Sequence, residues 1–139
     1  MIGKKELAIS NLYRYFYAES KVDELKLELE RLERTVGVKS PKFDSSPSGY
    51  SGTRDEKLLN YSIKKSKLDD EIKGWKVESQ TYYNVLHLFE LNEEDMRFLS
   101  YLYKDKYSGE KVAELMPYTD RKYVHRKRDS LLERLSKFV

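Results

Sequence analysis

Two stretches of the chain repeat apolar residues at alternating intervals of three and four, and a segment unable to extend a helix separates them. In the first, Tyr15, Ala18, Val22, Leu25, Leu29, Leu32 and Val36 follow the a/d repeat of a coiled coil, with no proline between Lys4 and Val36. This spacing predicts one long helix over 4–36. Leu7, Leu12 and Phe16 widen the apolar face at its start, so that end is expected to meet more than one neighbour. Charges of both signs fill the remaining positions, and pairs such as Glu24 with Glu28 or Glu30 with Arg34 read as ordinary surface neighbours.

The separator, GVKSPKFDSSPSGYSG over 37–52, holds two prolines, three glycines and five serines. Such a composition buries no core and predicts a flexible joint over 37–53. The second repeat follows Thr53, a helix cap with Glu56 placed to complete a capping box. Leu58, Tyr61, Leu68, Ile72, Trp75, Tyr82, Leu86 and Phe89 fit one seam, with Lys65 and Ser79 in its two vacant positions. A helix to about Phe89 is expected, and the joint lets it turn back on the first as an antiparallel hairpin. Trp75, Tyr82, Tyr83 and Phe89 would then form an aromatic core opposite Leu7 to Tyr17. Gly74, costly inside a helix, suggests a kink or a close helix contact.

The last fifty residues carry shorter punctuation. Asn92 is a good N-cap before three acids and the apolar positions Met96, Phe98, Leu99, Leu102 and Tyr103; residues 104–107 break that helix. Ser108 caps the next one, with Lys111 three residues on and Val112, Ala113, Leu115 and Met116 as its inner face. Pro117 and Tyr118 end it, and Thr119 caps a last helix with Val124, Leu131, Leu135 and Phe138 facing inward. Two short helices on a tight turn, with the small Ala113 where they would cross, have helix-turn-helix spacing. The expected fold is therefore all-α: a coiled-coil-like two-helix hairpin over 1–89, then a small helix-turn-helix domain over 90–139.

Between the cap at Thr119 and Leu131 stand Arg121, Lys122, Arg126, Lys127 and Arg128, with His125 among them. Five cations in eight residues contrast with a net charge of +3 for all 139, so charge distribution, not total charge, carries the information. Cations at a helix N-terminus oppose the macrodipole, an arrangement a polyanion would compensate. At 100° per residue, Lys122, Arg126 and Asp129 lie opposite the apolar stripe, with Arg121 and His125 at its edge. Arg121, Lys122, His125 and Arg126 are candidates for base edges in the major groove, Lys127 and Arg128 for phosphates, and Ser108 and Lys111 for further phosphate contact.

The run LNEEDMRFLSYLY, the run YSGEKVAELMPYTDRKYVHRKRDSLLERL and the linker pattern S-P-x-x-D-x-x-P-x-G-Y-S-G together resemble phage late-transcription regulators of the ArpU and RinA type. Their C-terminal module is similar to the promoter-reading fourth region of sigma factors. The resemblance spans nearly the whole chain. It implies a DNA-binding activator of phage or prophage genes, with RNA polymerase as a further partner. Such regulators usually carry an aliphatic residue where this chain has Arg126.

A lone module with this little charge should bind weakly, so a homodimer or higher oligomer formed through 4–36 and 54–89 is expected. Two other functions fit the pattern: a small-terminase-like subunit initiating DNA packaging, and an adaptor whose last helix binds protein. An enzyme is not expected, since no nucleophile, glycine-rich phosphate loop or tuned carboxylate stands out. No cysteine and two histidines without companion ligands argue against thiol chemistry, metals and cofactors. No apolar run approaches the roughly 18 residues of a membrane span, and MIGKKELAIS lacks a secretion signal's apolar core. A soluble cytoplasmic protein of a bacterial host is the expectation.

Overall fold

A computed structural model describes residues 3–36, 51–116 and 121–138. The described residues form five α-helices and one short 3-10 turn, with no strand. The helices are α1 (Lys4–Val36), α2 (Ser51–Val85), α3 (Glu93–Tyr103), α4 (Gly109–Leu115) and α5 (Arg121–Ser136); the 3-10 turn is Leu88–Glu90. No helix among them is long and apolar enough to cross a membrane. Of the expected joint over 37–53, residues 37–50 lie outside the described residues, as does the expected cap at Thr119; residues 51–53 already belong to α2, so Thr53 stands inside the helix and not at its cap position.

The chain divides into two compact units, Met1–Ser20 with Val77–Val139, and Lys21–Lys76. The division falls within the two long helices. In the first unit Ala8, Leu12, Tyr15 and Phe16 of α1 share one core with Phe98, Leu99 and Tyr103 of α3, Val112 and Met116, and Val124, Leu131, Leu132 and Leu135 of α5. This explains the wide apolar face at the start of α1: it meets the C-terminal helices as well as α2. Leu12 and Phe16 are buried there, whereas Leu7 is exposed. Arg14 donates to the Tyr82 hydroxyl at 3.2 Å and Ser79 donates to Glu19 at 2.9 Å, so α1 and α2 run antiparallel within this unit.

The second unit has a thinner core. Val22, Leu25 and Ile72 are buried, with Leu29, Leu68 and Trp75 packed against them. Trp75 thus belongs to this seam and not to the aromatic group expected near Tyr82, Tyr83 and Phe89. Seam residue Leu58 is exposed, as are Leu27, Leu59 and Ile63. A side chain added at Gly74 would meet nothing within 4 Å, so no close helix contact requires this glycine.

The end of α2 departs from the expected register. The helix stops at Val85, four residues before Phe89, and His87 adopts a left-handed conformation at φ 53°. A left-handed residue reverses the chain, because it breaks the helical hydrogen-bond ladder. Leu88 consequently enters the core and Phe89 is left 55% exposed beside Tyr83 and His87. Phe138, expected on the inner stripe of the last helix, is exposed and outside the core, and stacks on His87 at 3.9 Å between ring centroids.

Candidate nucleic-acid interface

The two described caps of the C-terminal helices are those the residue types dictate. Asn92 accepts a hydrogen bond from the Asp95 amide at 2.8 Å and starts α3; Ser108 accepts one from the Lys111 amide at 3.2 Å and starts α4. Each satisfies a first-turn donor that the helix itself leaves open. Between them the amides of Lys104 and Asp105 both donate to the Ser100 carbonyl, and Lys106 turns the chain at φ 56°. Val112 and Met116 anchor α4, Ala113 is half-buried, and Leu115 points to solvent, contrary to its expected place on the inner face.

α4 packs closely on α5 at Gly109, where an added Cβ would lie 3.3 Å from the Arg121 Cγ. Here the missing side chain lets the start of one helix approach the start of the other. Arg121 spans the junction. Its Nε donates to His125 Nε2 at 3.4 Å, and its guanidinium lies 3.7 Å from the Glu110 carboxylate.

Val124, Leu131, Leu132 and Leu135 pin α5 to the core. The opposite face carries Lys122, Tyr123, Arg126 and Asp129, all exposed. Arg126 thus stands in solvent and not at a core position. Neither Lys122 nor Arg126 has an ion-pair or hydrogen-bond partner among the described residues. The Lys111 side chain is likewise exposed at the start of α4, while the Ser108 hydroxyl is occupied as a cap.

The remaining cations differ. Arg128 is half-buried, 3.6 Å from Asp129 and close enough to Tyr103 to favour its phenolate. Burial outweighs that influence and, helped by Tyr13 and Asp129, holds the Tyr103 hydroxyl at a pKa of about 12. Lys127 turns inward: its ammonium is 3.0 Å from Asp95, 3.6 Å from Glu94 and 5.7 Å from the centroid of the Phe98 ring, with only 16% of its side chain exposed. This lysine ties α5 to α3 and has little reach left for an outside phosphate.

Sequence reasoning passed over Asp95, Ser130 and Arg134. Asp95 reads as a dipole-friendly first-turn acid, yet it is 8% exposed and faces Lys127 and, at 4.0 Å, Arg134. No local signal marks a pairing 32 residues away in the chain. Asp95, Tyr123, Arg126, Lys127, Ser130, Leu131 and Arg134 line an open cleft of about 320 Å3. Comparison with known proteins finds no matching family model, no matching curated protein and no matching solved structure.

Proposed function

We propose that α4 and α5 act as a helix-turn-helix and that the chain is a sequence-specific regulator of transcription, binding double-stranded DNA through the outer face of α5. The observation that carries this reading is the pair Lys122 and Arg126, two exposed cations one helical turn apart without partners among the described residues, on a helix whose other face is fixed in a core. Unneutralised charge held at a rigid helix start suits the electronegative floor and walls of the major groove. Lys111 adds a phosphate contact from α4. Arg121 and His125, bridged to each other, lie at the edge of the face and exchange their mutual hydrogen bond for base edges.

The likeness of the sequence to ArpU- and RinA-type regulators supports phage or prophage late genes as the target, with RNA polymerase as a further partner. The exposed Leu27, Leu58, Leu59 and Ile63 on the long helices support self-association, which would present two α5 helices to two half-sites. A duplex selected from genomic fragments should be retarded by the wild-type chain, with affinity falling steeply as salt rises. Lys122→Ala with Arg126→Ala should weaken the complex at least tenfold and relax sequence preference, since each side chain paired with a base edge is worth about one to three kcal/mol of discrimination. Unchanged retardation by that double variant, or no shift with any duplex, overturns the reading; the latter favours the adaptor function.

A further inference from the structure

The cleft beside α5 holds three cations, Arg126, Lys127 and Arg134, against a single carboxylate, Asp95. Lys127 already answers that carboxylate at 3.0 Å, while Arg134 stands off at 4.0 Å with about half its side chain in solvent. The Arg126 guanidinium, the solvent-facing half of Arg134 beyond its ion pair with Asp95, and the Ser130 hydroxyl therefore stand as donors around an open space. Arg126, Ser130 and Arg134 are spaced at i, i+4 and i+8, one row along the helix, with Arg126 and Arg134 about 12 Å apart at 1.5 Å per residue. We propose that this cleft is a phosphate seat: when the start of α5 lies in the major groove, Arg134 and Ser130 grip a backbone phosphate at the groove's border, with Arg126 shared between groove and seat.

The inference rests on the placement of α5 in DNA proposed above and adds a role for its second half. The major groove is about 12 Å wide, so a row of that length starting inside it ends at the flanking backbone. A phosphate diester fits the donors better than a neutral ligand, because a guanidinium fork and a hydroxyl match its oxygens. Interactions of this kind fix orientation without reading sequence.

Arg134→Gln and Arg134→Lys, each checked for wild-type helical content, test the seat through the salt dependence of duplex affinity. Removing one cation from a phosphate should flatten the plot of log affinity against log salt by about 0.9 and weaken binding about fivefold at 0.15 M salt. Arg134→Gln is expected to do this equally on specific and unrelated duplexes, and Arg134→Lys to restore the slope. If the wild type binds DNA and Arg134→Gln keeps the full slope, or loses affinity on the specific duplex alone, the phosphate seat is overturned while the α5 reading stands. If the wild type binds no duplex, both fall.

Discussion

The two compact units draw on the same pair of long helices and the same heptad spacing, yet they bury that seam to different depths. In the unit containing α3, α4 and α5, Tyr15, Phe16 and Ala18 are covered, and fifteen buried residues join one core. In the unit of residues 21–76 the core among the described residues is Val22, Leu25 and Ile72, with seam residues Leu29, Leu32 and Leu68 only half-buried. A heptad repeat records which residues face a neighbour; the number of neighbours decides how much water is excluded. Two helices alone cover one stripe of each other, whereas further helices close the flanks.

That contrast makes its largest prediction in the cores. Phe98→Ala removes a fully buried ring and should cost about 3–5 kcal/mol, while Ile72→Ala, in a core of three buried residues with half-buried flanks, should fall near the low end of about 2–5 kcal/mol. Urea unfolding with hydrogen exchange on each variant measures both. Equal losses would mean that the thin seam is as tightly packed as the larger core.

Next in size is the contrast between the adjacent residues Arg126 and Lys127. Asp95→Ala strands a lysine with little solvent access, at a cost on the order of 2 kcal/mol, less than for a fully buried pair because Glu94 stays nearby. Arg126→Ala should move stability by no more than about 0.5 kcal/mol, as at other exposed sites. Denaturant midpoints decide it; a destabilisation by Arg126→Ala matching that of Asp95→Ala would place Arg126 in the fold's own ion network.

These neighbours also mark how far the sequence could be read. Caps at Asn92 and Ser108 were legible because a cap is a bond across three residues, and the inner positions Val124, Leu131 and Leu135 were legible because a helix repeats itself. The outward face with Lys122 and Arg126 followed from the same repeat. That Lys127 turns inward was not legible, since its partner Asp95 arrives through tertiary packing. Neither was the exchange of Phe89 for Leu88, which depends on one left-handed residue, His87, of a type that carries no strong signal for it. Gly109 was passed over beside the more obvious Ala113, although only a contact between helices distinguishes a glycine that is needed from one that is tolerated.

Alkali separates the units by chemistry. In the larger core, burial first, then the charge and hydrogen bond of Glu19 and the nearby Tyr83, push the Tyr15 hydroxyl well above its ordinary pKa; Tyr103 is raised to about 12. The unfolded chain loses both protons near pH 10 while the folded chain keeps them. Stability from these groups is therefore intact below pH 10 and lost as pH rises through 12, by about 1 kcal/mol per tyrosine at pH 11. Thermal melts between pH 9 and 11.5 should show the loss, and Tyr103→Phe should reduce it. A melt independent of pH over that range would show that water reaches these hydroxyls.

The smallest effect probes the thin seam itself and has the opposite sign. Gly74 is an exposed position inside α2, left-handed geometry is not required there, and a Cβ would touch nothing within 4 Å. Gly74→Ala should therefore stabilise α2 by about 0.8–1.0 kcal/mol through the unfolded chain's lost freedom alone. If residues 21–76 open locally, as a three-residue core suggests, exchange of amides flanking position 74 should slow about fivefold while those of α3 and α5 stay unchanged. Slowing by the same factor in both units would mean that they open together, and the difference in burial would then carry no difference in cooperativity. No slowing anywhere would mean that the amides near Gly74 exchange by a route that leaves the helix around it formed.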